Sequence, residues 1–409
     1  MPPSKGGQEG QDPLDELRRL AQAAGADVQG SVVQRLSRPD PATYVGSGKA
    51  EEIALKAREV SADVIISGNN LSPAHVRNLE NITNTKVVDR TELILDIFAR
   101  RAMTKQARLQ VEMAQLQYSL PRLRRKWTHL SRIEGGIGLR GPGEKQLEVD
   151  RRLAQKRISD LRRSLEQIRK RKEREVTERS HQNTVSLVGY TNAGKSSLLN
   201  TLTGAKVHTS DTLFTTLDTR TRSWQAAKGI PVLLSDTVGF IRDLPHALVE
   251  SFHATLEESS RADLLLHVVD ISLPDPLPLI QSVEKVLGEL NLGARPTFLI
   301  LNKLDALRDR IEIPILASKN PNTIAVSSRT GEGIEELRER VRDFFIKEMV
   351  EFDIRTHQAN GKLISFLRKM GRVTNVTYEE ELVRIRGRIL ERHLGRATKM
   401  NGEGLIDEE

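Results

Sequence analysis

One complete phosphate-binding loop constrains the fold of this chain more than any other feature. The apolar segment 184–188 leads into the sequence GYTNAGKS, which opens the apolar start of a helix at 197–199. In this order the glycines let backbone N–H groups surround phosphate oxygens, and the helix N-terminus adds its positive dipole end. The motif predicts a nucleotide site on an α/β, mostly parallel sheet flanked by helices. Its residues are Gly189, Tyr190, Thr191, Asn192, Ala193, Gly194, Lys195 and Ser196.

Candidate ligands for Mg²⁺ and for the γ-phosphate lie in this loop and in two later segments. Lys195 suits the β and γ phosphates, and the Ser196 hydroxyl suits Mg²⁺. After strand 232–234 come Asp236, Thr237, Val238 and Gly239, where the carboxylate can hold Mg²⁺ through water and the glycine N–H can sense the γ-phosphate. Between the two lie Phe214, Thr215, Thr216, Leu217 and Asp218. We choose Thr216 to complete the Mg²⁺ shell, although the spacing does not exclude Thr215.

Two segments near residues 302 and 327 specify the base. Strand 297–301 precedes Asn302, Lys303, Leu304 and Asp305. A carboxylate accepts two hydrogen bonds from the N1–H and N2–H₂ edge of guanine, whereas adenine has no such donor pair. Strand 323–326 precedes Ser327, Ser328 and Arg329, a loop whose backbone N–H groups suit the guanine carbonyl. Because each segment follows the end of a strand, the sequence predicts a GTPase that binds GTP and GDP.

The residue after Gly239 is Phe240, at the position where Ras-like GTPases place the glutamine that orients the attacking water. A phenyl ring cannot hydrogen-bond water. We therefore expect slow hydrolysis by the protein alone, with Lys195 stabilising the phosphates and a partner stimulating the reaction. Asn192 is a candidate K⁺ ligand, because K⁺ could substitute for an arginine finger; the alternative is that Asn192 is only a turn residue.

The 409 residues divide into several parts by composition and pattern. Residues 1–12 are rich in Gly, Pro and Gln and are expected to be disordered. Residues 13–99 alternate apolar runs at 28–36, 64–67 and 86–88 with helical patterns, which predicts a small α/β domain with a mostly parallel sheet. Residues 183–347 form the predicted GTPase domain. Residues 348–409 are predicted to be a small α+β module.

Residues 100–182 concentrate the positive charge of the chain. They hold 23 Lys and Arg against 10 Asp and Glu, whereas the whole chain has a net charge of +8. Two long helical patterns, the first interrupted at Pro121, flank a Gly-rich segment at 135–143. The pattern predicts a basic helical hairpin with a flexible tip loop, suited to nucleic-acid phosphates. The candidate RNA contacts are Arg132, Arg140 and Lys145.

Composition excludes several classes of protein. The chain has no cysteine, which removes disulfides and thiolate metal sites. Aromatic residues make up 4%, too few for base-stacking platforms. No apolar run approaches the roughly 18 residues that a membrane helix needs. We expect a cytoplasmic protein without a membrane association and a monomer when free.

Several segments resemble the HflX family of translational GTPases. They lie at 90–98, 109–116, 120–123, 138–144, 150–152, 213–214 and 236–241, and the resemblance covers about residues 14–345. It implies a protein that binds the large ribosomal subunit with its hairpin directed at ribosomal RNA, and that splits ribosomes during stress. It also implies that GTP favours binding and that hydrolysis permits release. Two departures, Asp-Thr-Arg at 218–220 for the usual Asp-Pro-Thr and Ser328 for the usual Ala, leave the mobility of the switch open.

Three other functions conflict with features of the sequence. A tRNA-modifying GTPase of the type considered uses a C-terminal cysteine, which this chain lacks. An RNA chaperone using ATP in the N-terminal half would need a second site, and the segment 46–49 resembles only half of a phosphate-binding loop. A vestigial site conflicts with the intact Lys195 and Ser196. The sequence leaves open whether the protein splits ribosomes, rescues them or helps to assemble them.

Overall fold

The computed structural model describes residues 14–126, 142–179, 183–205, 214, 220–227, 230–241, 262–307 and 309–401. The chain groups into two compact units. The first unit comprises residues 1–169, 210–218 and 243–253, and the second comprises residues 170–209, 219–242 and 254–409. Within the described ranges no helix is long and apolar enough to cross a membrane. The division into a disordered tail and four domains stays a prediction.

The first unit is mainly helical around a very small parallel sheet. Its strands β1 and β2 pair in parallel over three residues each. The predicted strand at 28–36 is wrong: these residues form no strand, most of their side chains are exposed, and Val33 is half-exposed. The elements are α1 Asp15–Ala23, α2 Ser47–Glu59, β1 Val64–Ile66, α3 Pro73–Thr83, β2 Lys86–Val88, α4 Arg90–Arg101 and α5 Lys105–Lys126.

Asp89 organises the helices of this unit. Its buried carboxylate caps α4 by accepting from the Glu92 N–H at 2.9 Å, as N-terminal aspartates commonly do. The same carboxylate accepts from Arg122 Nη2 at 2.8 Å and from the Tyr118 hydroxyl, both on α5. The Arg122 guanidinium also lies 3.6 Å from the centre of the Tyr118 ring. Two hydrogen bonds from α5 thus hold the start of α4, which the third hydrogen bond caps.

The predicted pair of long helices is present. Helix α5 continues through Pro121 to Lys126, and α6 spans Pro142–Arg179. Arg157 on α6 donates two hydrogen bonds to Glu112 on α5, at 2.7 and 3.0 Å. On α6, apolar residues recur every seven positions at Ala154, Leu161 and Ile168, and we call them the seam of α6. Leu161 is fully buried. Residues 135–141 of the Gly-rich segment lie outside the described residues, whereas Pro142 and Gly143, predicted to be part of the flexible loop, already begin α6.

The second unit contains the mostly parallel sheet that the phosphate-binding loop predicts. Six strands lie in the order β4-β5-β3-β6-β7-β8, and only the edge pair β4–β5 is antiparallel. The strands are β3 Asn183–Gly189, β4 Arg220–Ala227, β5 Ile230–Asp236, β6 Leu264–Asp270, β7 Thr297–Asn302 and β8 Thr323–Ala325. The helices are α7 Lys195–Thr203, α8 Leu277–Glu289, α9 Glu312–Lys319 and α10 Ile334–Lys347. Buried apolar strands of this kind are typical of a sheet covered on both faces.

A three-stranded antiparallel sheet with two helices follows, as predicted for residues 348–409. Its elements are β9 Met349–His357, α11 Gly361–Met370, β10 Gly371–Glu379, β11 Leu382–Leu390 and α12 Glu391–Asn401, with strand order β10-β11-β9. Met349 and Leu390 join the core of the larger sheet. Arg392 Nη2 also donates to Asn183 Oδ1 at 2.8 Å on β3. This module therefore packs on the larger sheet within the second unit.

Candidate nucleotide site

The phosphate-binding loop follows β3 and depends on two glycines that no larger residue could replace. Gly189 has a φ of 149°, and a Cβ there would lie 2.2 Å from the Val268 carbonyl oxygen. Gly194 has a φ of 90°, and a Cβ there would lie 2.2 Å from Asn302 Nδ2. Asn192 also has a positive φ, 62°, which asparagine tolerates better than most residues. The sequence thus turns sharply from β3 into α7.

Lys195 lies at the first position of α7 and is buried. Its Nζ donates to the carbonyls of Gly189 and Tyr190 at 3.0 and 2.8 Å. Burial lowers the pKa of Lys195 to about 8, although the nearby Asp236 favours the charged form. The ammonium is thus held inside the loop, where phosphate oxygens would supply further opposite charge.

Ser196 and Asp236 meet at the ends of α7 and β5. The Ser196 Oγ donates to Asp236 Oδ2 at 2.5 Å, and the carboxylate is fully buried. A hydroxyl and a carboxylate are hard oxygen ligands, and Mg²⁺ in nucleotide sites takes one or two protein oxygens with phosphates and waters. No cluster of three or more His, Cys, Asp or Glu residues suited to a metal occurs among the described residues. This pair therefore fits a Mg²⁺ ion that is shared with the nucleotide.

The segment after Asp236 pairs with the phosphate-binding loop itself. The Thr191 N–H donates to the Phe240 carbonyl at 2.8 Å, and the Phe240 N–H donates to the Gly189 carbonyl at 3.0 Å. Gly239 is so close that a Cβ would lie 2.9 Å from Thr191 Cα and 3.1 Å from Lys195 Nζ. The Phe240 ring is buried, so it is part of the core and not of a water-positioning group.

Asn302 connects the base-recognition segment to the rest of the site. It ends β7, and its side chain is fully buried. Its Nδ2 donates to the Ala193 carbonyl at 2.9 Å, and its Oδ1 accepts from the Ser328 N–H at 3.0 Å. Because that N–H is engaged, a guanine carbonyl would share it or use the neighbouring N–H of Arg329. The predicted loop, base segment and final loop therefore lie together.

The Asp305 carboxylate is oriented by the loop that follows β8. The Ser327 hydroxyl donates to Asp305 Oδ1 at 2.6 Å, and Ser327 in turn accepts from the Thr330 N–H at 3.0 Å. Arg329 Nη1 lies 3.9 Å from Asp305 Oδ2. The carboxylate is thus held in one orientation and stays partly accessible.

Lys303 supports the same segment from its other side. It has a φ of 68°, and its Nζ pairs with Asp270 Oδ2 at 2.7 Å at the end of β6. The next residue, Leu304, is buried and donates its N–H to the Val326 carbonyl at 3.2 Å. These contacts fix the backbone on both sides of Asp305.

The other predicted residues either group with the first unit or have no described position or side chain. Phe214 groups with the first unit, where it is 2% exposed and its ring centre lies 4.6 Å from that of Phe98 on α4. The half-loop lysine, Lys49, pairs with Glu52 at 2.6 Å. Lys145 lies in the first turn of α6, and its side chain is not described. The residues that lie outside the described ranges are Thr215, Thr216, Leu217, Asp218, Arg132 and Arg140.

His267 is a site-adjacent residue that sequence reasoning missed. It lies on β6 opposite Val188 of β3 and is buried. Burial, with a smaller contribution from the charge of Lys195, lowers the pKa of His267 to about 4. Its only signal in the sequence is a single polar residue inside the apolar strand LLLHVVD.

Three family models match consecutive parts of the chain. They are described as GTP-binding GTPase N-terminal for residues 11–99, GTP-binding GTPase Middle Region for 101–179, and 50S ribosome-binding GTPase for 184–303. The third match begins before the phosphate-binding loop and ends at Lys303, within the base segment.

Curated relatives match nearly the whole length of the chain. The GTPase HflX of Magnetococcus marinus is 44% identical over 371 residues, which is 90% of this chain and 86% of the relative. The GTPase HflX of Escherichia coli is 43% identical over 90% of this chain and 87% of the relative. A solved GTP-binding protein from Sulfolobus solfataricus in complex with GDP is 25% identical, with a TM-score of 0.43, over 80% of this chain and 94% of that one. The chain is a GTP-binding, GTP-hydrolysing protein and belongs to the HflX family of GTPases.

Proposed function

We propose that this GTPase associates with the large ribosomal subunit and that its basic hairpin contacts ribosomal RNA. Two observations support the proposal. The family model that matches residues 184–303 is described as a 50S ribosome-binding GTPase. The hairpin also concentrates 23 Lys and Arg against 10 Asp and Glu in residues 100–182. We infer from both that the ribosome is the polyanionic partner.

The arrangement of charge on α6 is the observation that carries this proposal furthest. Basic side chains on this helix project into solvent, while the seam residue Leu161 is buried. Such a surface can contact phosphates along its length without reading a base sequence. The exposed basic residues include Arg152, Lys156, Arg162, Arg163 and Arg169. Arg132, Arg140 and Lys145 remain proposed RNA contacts at or near the tip.

The residues of the nucleotide site have separate roles in hydrolysis under this proposal. Lys195 offsets the charge that develops on the β and γ phosphates. Ser196 and Thr216 would hold Mg²⁺, with Asp236 acting through water, and the ion would neutralise phosphate charge. The Gly239 N–H contacts the γ-phosphate. Asp305 and the Ser327–Arg329 loop bind guanine.

Phe240 leaves the positioning of water to another group. We propose that Asn192 binds a K⁺ ion that replaces an arginine finger. If so, hydrolysis by the protein with its partner runs severalfold faster in K⁺ than in Na⁺, and Asn192→Ala removes the difference. Equal rates in the two salts would contradict the role of Asn192, without affecting GTP binding.

Under this proposal the protein acts in the cytoplasm, and the bound nucleotide determines when it binds the ribosome. GTP favours binding to the subunit and hydrolysis permits release, so that the protein splits, rescues or recycles ribosomes under stress. Sedimentation with purified large subunits tests the association. We expect the protein to sediment with subunits in a nonhydrolysable GTP analogue and to remain in the supernatant with GDP.

A variant localises this contact to the hairpin. Replacing Arg140 and Lys145 by Ala should weaken sedimentation with subunits and leave GDP affinity unchanged. Replacing Arg368 and Lys369 by Ala removes the same charge from the exposed side of α11 and should have little effect. Absence of sedimentation by the wild-type protein in the analogue would refute the ribosomal association.

A further inference from the structure

The sheet of the C-terminal module has one face that neither helix covers. On β11, buried Val383, Ile385 and Ile389 point to α11 and α12 and form the core of the module. Because side chains alternate along a strand, Arg384 and Arg386 point to the opposite face. Along the strand, the Cα atoms of successive residues on this face are about 6.8 Å apart. The outward side of β11 is therefore a row of arginines that ends at Arg388.

The neighbouring strands extend this row into a patch. Arg355 of β9 lies opposite Arg384, and Arg372 of β10 lies opposite Arg388. Five arginines thus share one face, against three carboxylates on the same face. Those carboxylates are Glu351, Asp353 and Glu379. We call this patch the arginine face and define it by Arg355, Arg372, Arg384, Arg386 and Arg388.

Asp353 holds two of these arginines in fixed positions but balances the charge of only one. It accepts from Arg384 Nε and Nη2 at 2.8 and 2.6 Å, and from Arg386 Nε at 2.7 Å. Hydrogen bonds from Arg384, and then from Arg386, hold the pKa of this carboxyl below its usual range. One carboxylate therefore fixes two guanidinium groups, which together retain a net positive charge. Preorganised side chains lose less entropy when they bind an anion.

Among the other arginines of the face, exposed Arg372 has donors to spare. Arg372 is exposed and makes no side-chain hydrogen bond or ion pair within the described part of the module. Arg388 donates from Nη2 to the Met349 carbonyl at 3.2 Å, while its buried Nε has no hydrogen-bond partner among the described residues. The positive charge of this face is thus not fully balanced by contacts within the module.

The rest of the face indicates what kind of anion it fits. No Phe, Trp or Tyr side chain lies on it, so it lacks the stacking groups that unpaired bases need. Asn375 and Thr377 of β10 lie opposite Arg386 and Arg384, and both are exposed. An amide and a hydroxyl among guanidinium groups suit 2′-hydroxyls and phosphates across a double helix.

We propose that the arginine face binds the phosphate backbone of double-helical RNA. This surface is separate from the hairpin and from the nucleotide site. It recognises RNA by regularly spaced charge and by 2′-hydroxyl contacts, without reading base sequence. The proposal does not require the ribosome to be the partner, so it is tested with an isolated duplex.

The test compares two double variants of the full-length protein with GDP bound. Arg372→Gln with Arg386→Gln removes two charges from the arginine face. Arg368→Gln with Lys369→Gln removes two charges from exposed positions on α11. Binding of a fluorescent 20-base-pair RNA duplex is measured across a salt series. The first variant should bind about tenfold more weakly near 0.1 M salt, with a salt slope smaller by about 1.8, and the second should match the wild type.

Chemical labelling locates the contact independently of the hairpin. Phenylglyoxal modifies accessible arginines, and mass spectrometry measures each site. A saturating RNA duplex should protect Arg372 and Arg386 and leave Arg368 reactive. The proposal is overturned if the duplex protects neither residue. It is also overturned if poly-glutamate protects them and the duplex does not, which would indicate an acidic protein as the partner.

Discussion

The side-chain amide of Asn302 donates to the carbonyl of Ala193 over 2.9 Å, which ties the base-recognition segment directly to the phosphate-binding loop. The same side chain accepts from the Ser328 N–H, so one buried residue connects the ends of three strands. Gly194 must lack a side chain because this amide occupies the space beside it. The segments that are predicted to bind the base and the phosphates therefore share one contact.

Replacing Asn302 by Ala should weaken GTP binding and destabilise the second unit. The change leaves the Ala193 carbonyl and the Ser328 N–H without their partner, at about 1–3 kcal/mol for each buried group. Calorimetric titration with GDP and thermal unfolding measure the two effects. The exposed Asn375→Ala is the matched control and should change neither. Normal GDP affinity in Asn302→Ala would show that the bridge is not needed.

Replacing Asp305 by Asn should change the base that the protein prefers. The amide loses the charged acceptor for the guanine N1–H and N2–H₂ donors, so GTP affinity should fall at least about 100-fold. Xanthine carries a carbonyl where guanine carries the amino group, and the new amide can donate to it. Competition between GTP and XTP measures the preference. Asp309→Asn, in the exposed loop beyond it, should keep the GTP preference; an unchanged preference in Asp305→Asn would disprove the base assignment.

His267 should make the second unit sensitive to acid. Its pKa is lowered from 6.5 to about 4 by burial, so between these values the unfolded chain binds more protons than the folded one. This histidine therefore contributes stability that is present above pH 6.5 and lost as the pH falls toward 4, about 2 kcal/mol between pH 7 and pH 5. Urea unfolding at pH 7 and pH 5, for the wild type and for His267→Leu, measures how much of the loss of stability comes from His267.

The control for this experiment is the exposed His357. His357→Leu should lose as much stability as the wild type between pH 7 and pH 5, whereas His267→Leu should lose less. If His267→Leu and the wild type show the same pH dependence, the buried histidine is not the acid-sensitive group.

Replacing Phe214 by Ala should destabilise the first unit. The ring is buried against Phe98, and truncation of a buried phenylalanine costs about 3–5 kcal/mol. Hydrogen exchange of the α4 amides measures the loss, because Phe98 lies on this helix. Tyr378→Ala, at an exposed position of β10, should leave α4 unaffected. Unchanged protection of α4 in Phe214→Ala would rule out this packing role.

The sequence predicted the second unit well because its signals are local. Gly189 to Ser196 has a fixed spacing between a strand and a helix, and each of Asp236, Asn302 and Ser327 lies at or close to the carboxyl end of an apolar strand. Parallel strands then bring these residues to one edge of the sheet without further assumptions. The long helices flanking the tip were predicted for the same reason, since their apolar periodicity repeats over many turns.

Other features depend on contacts between distant residues and were not predicted. The run at 28–36 has β-branched residues but forms no strand. The small sheet of this unit consists of β1 and β2, which pair with each other over three residues. The bridge formed by Asn302 requires the positions of three loops at once. The burial of Phe214 against Phe98 joins residues more than a hundred positions apart. Such pairings carry no periodic signal.

GTP hydrolysis measured with and without purified large ribosomal subunits tests the central claim most directly. We expect slow hydrolysis by the protein alone, since Phe240 cannot orient water, and strong stimulation by subunits. The stimulation should be lost in the Arg140→Ala and Lys145→Ala double variant, while GDP binding is retained. An equal rate with and without subunits, in a protein that binds GTP normally, would contradict the account.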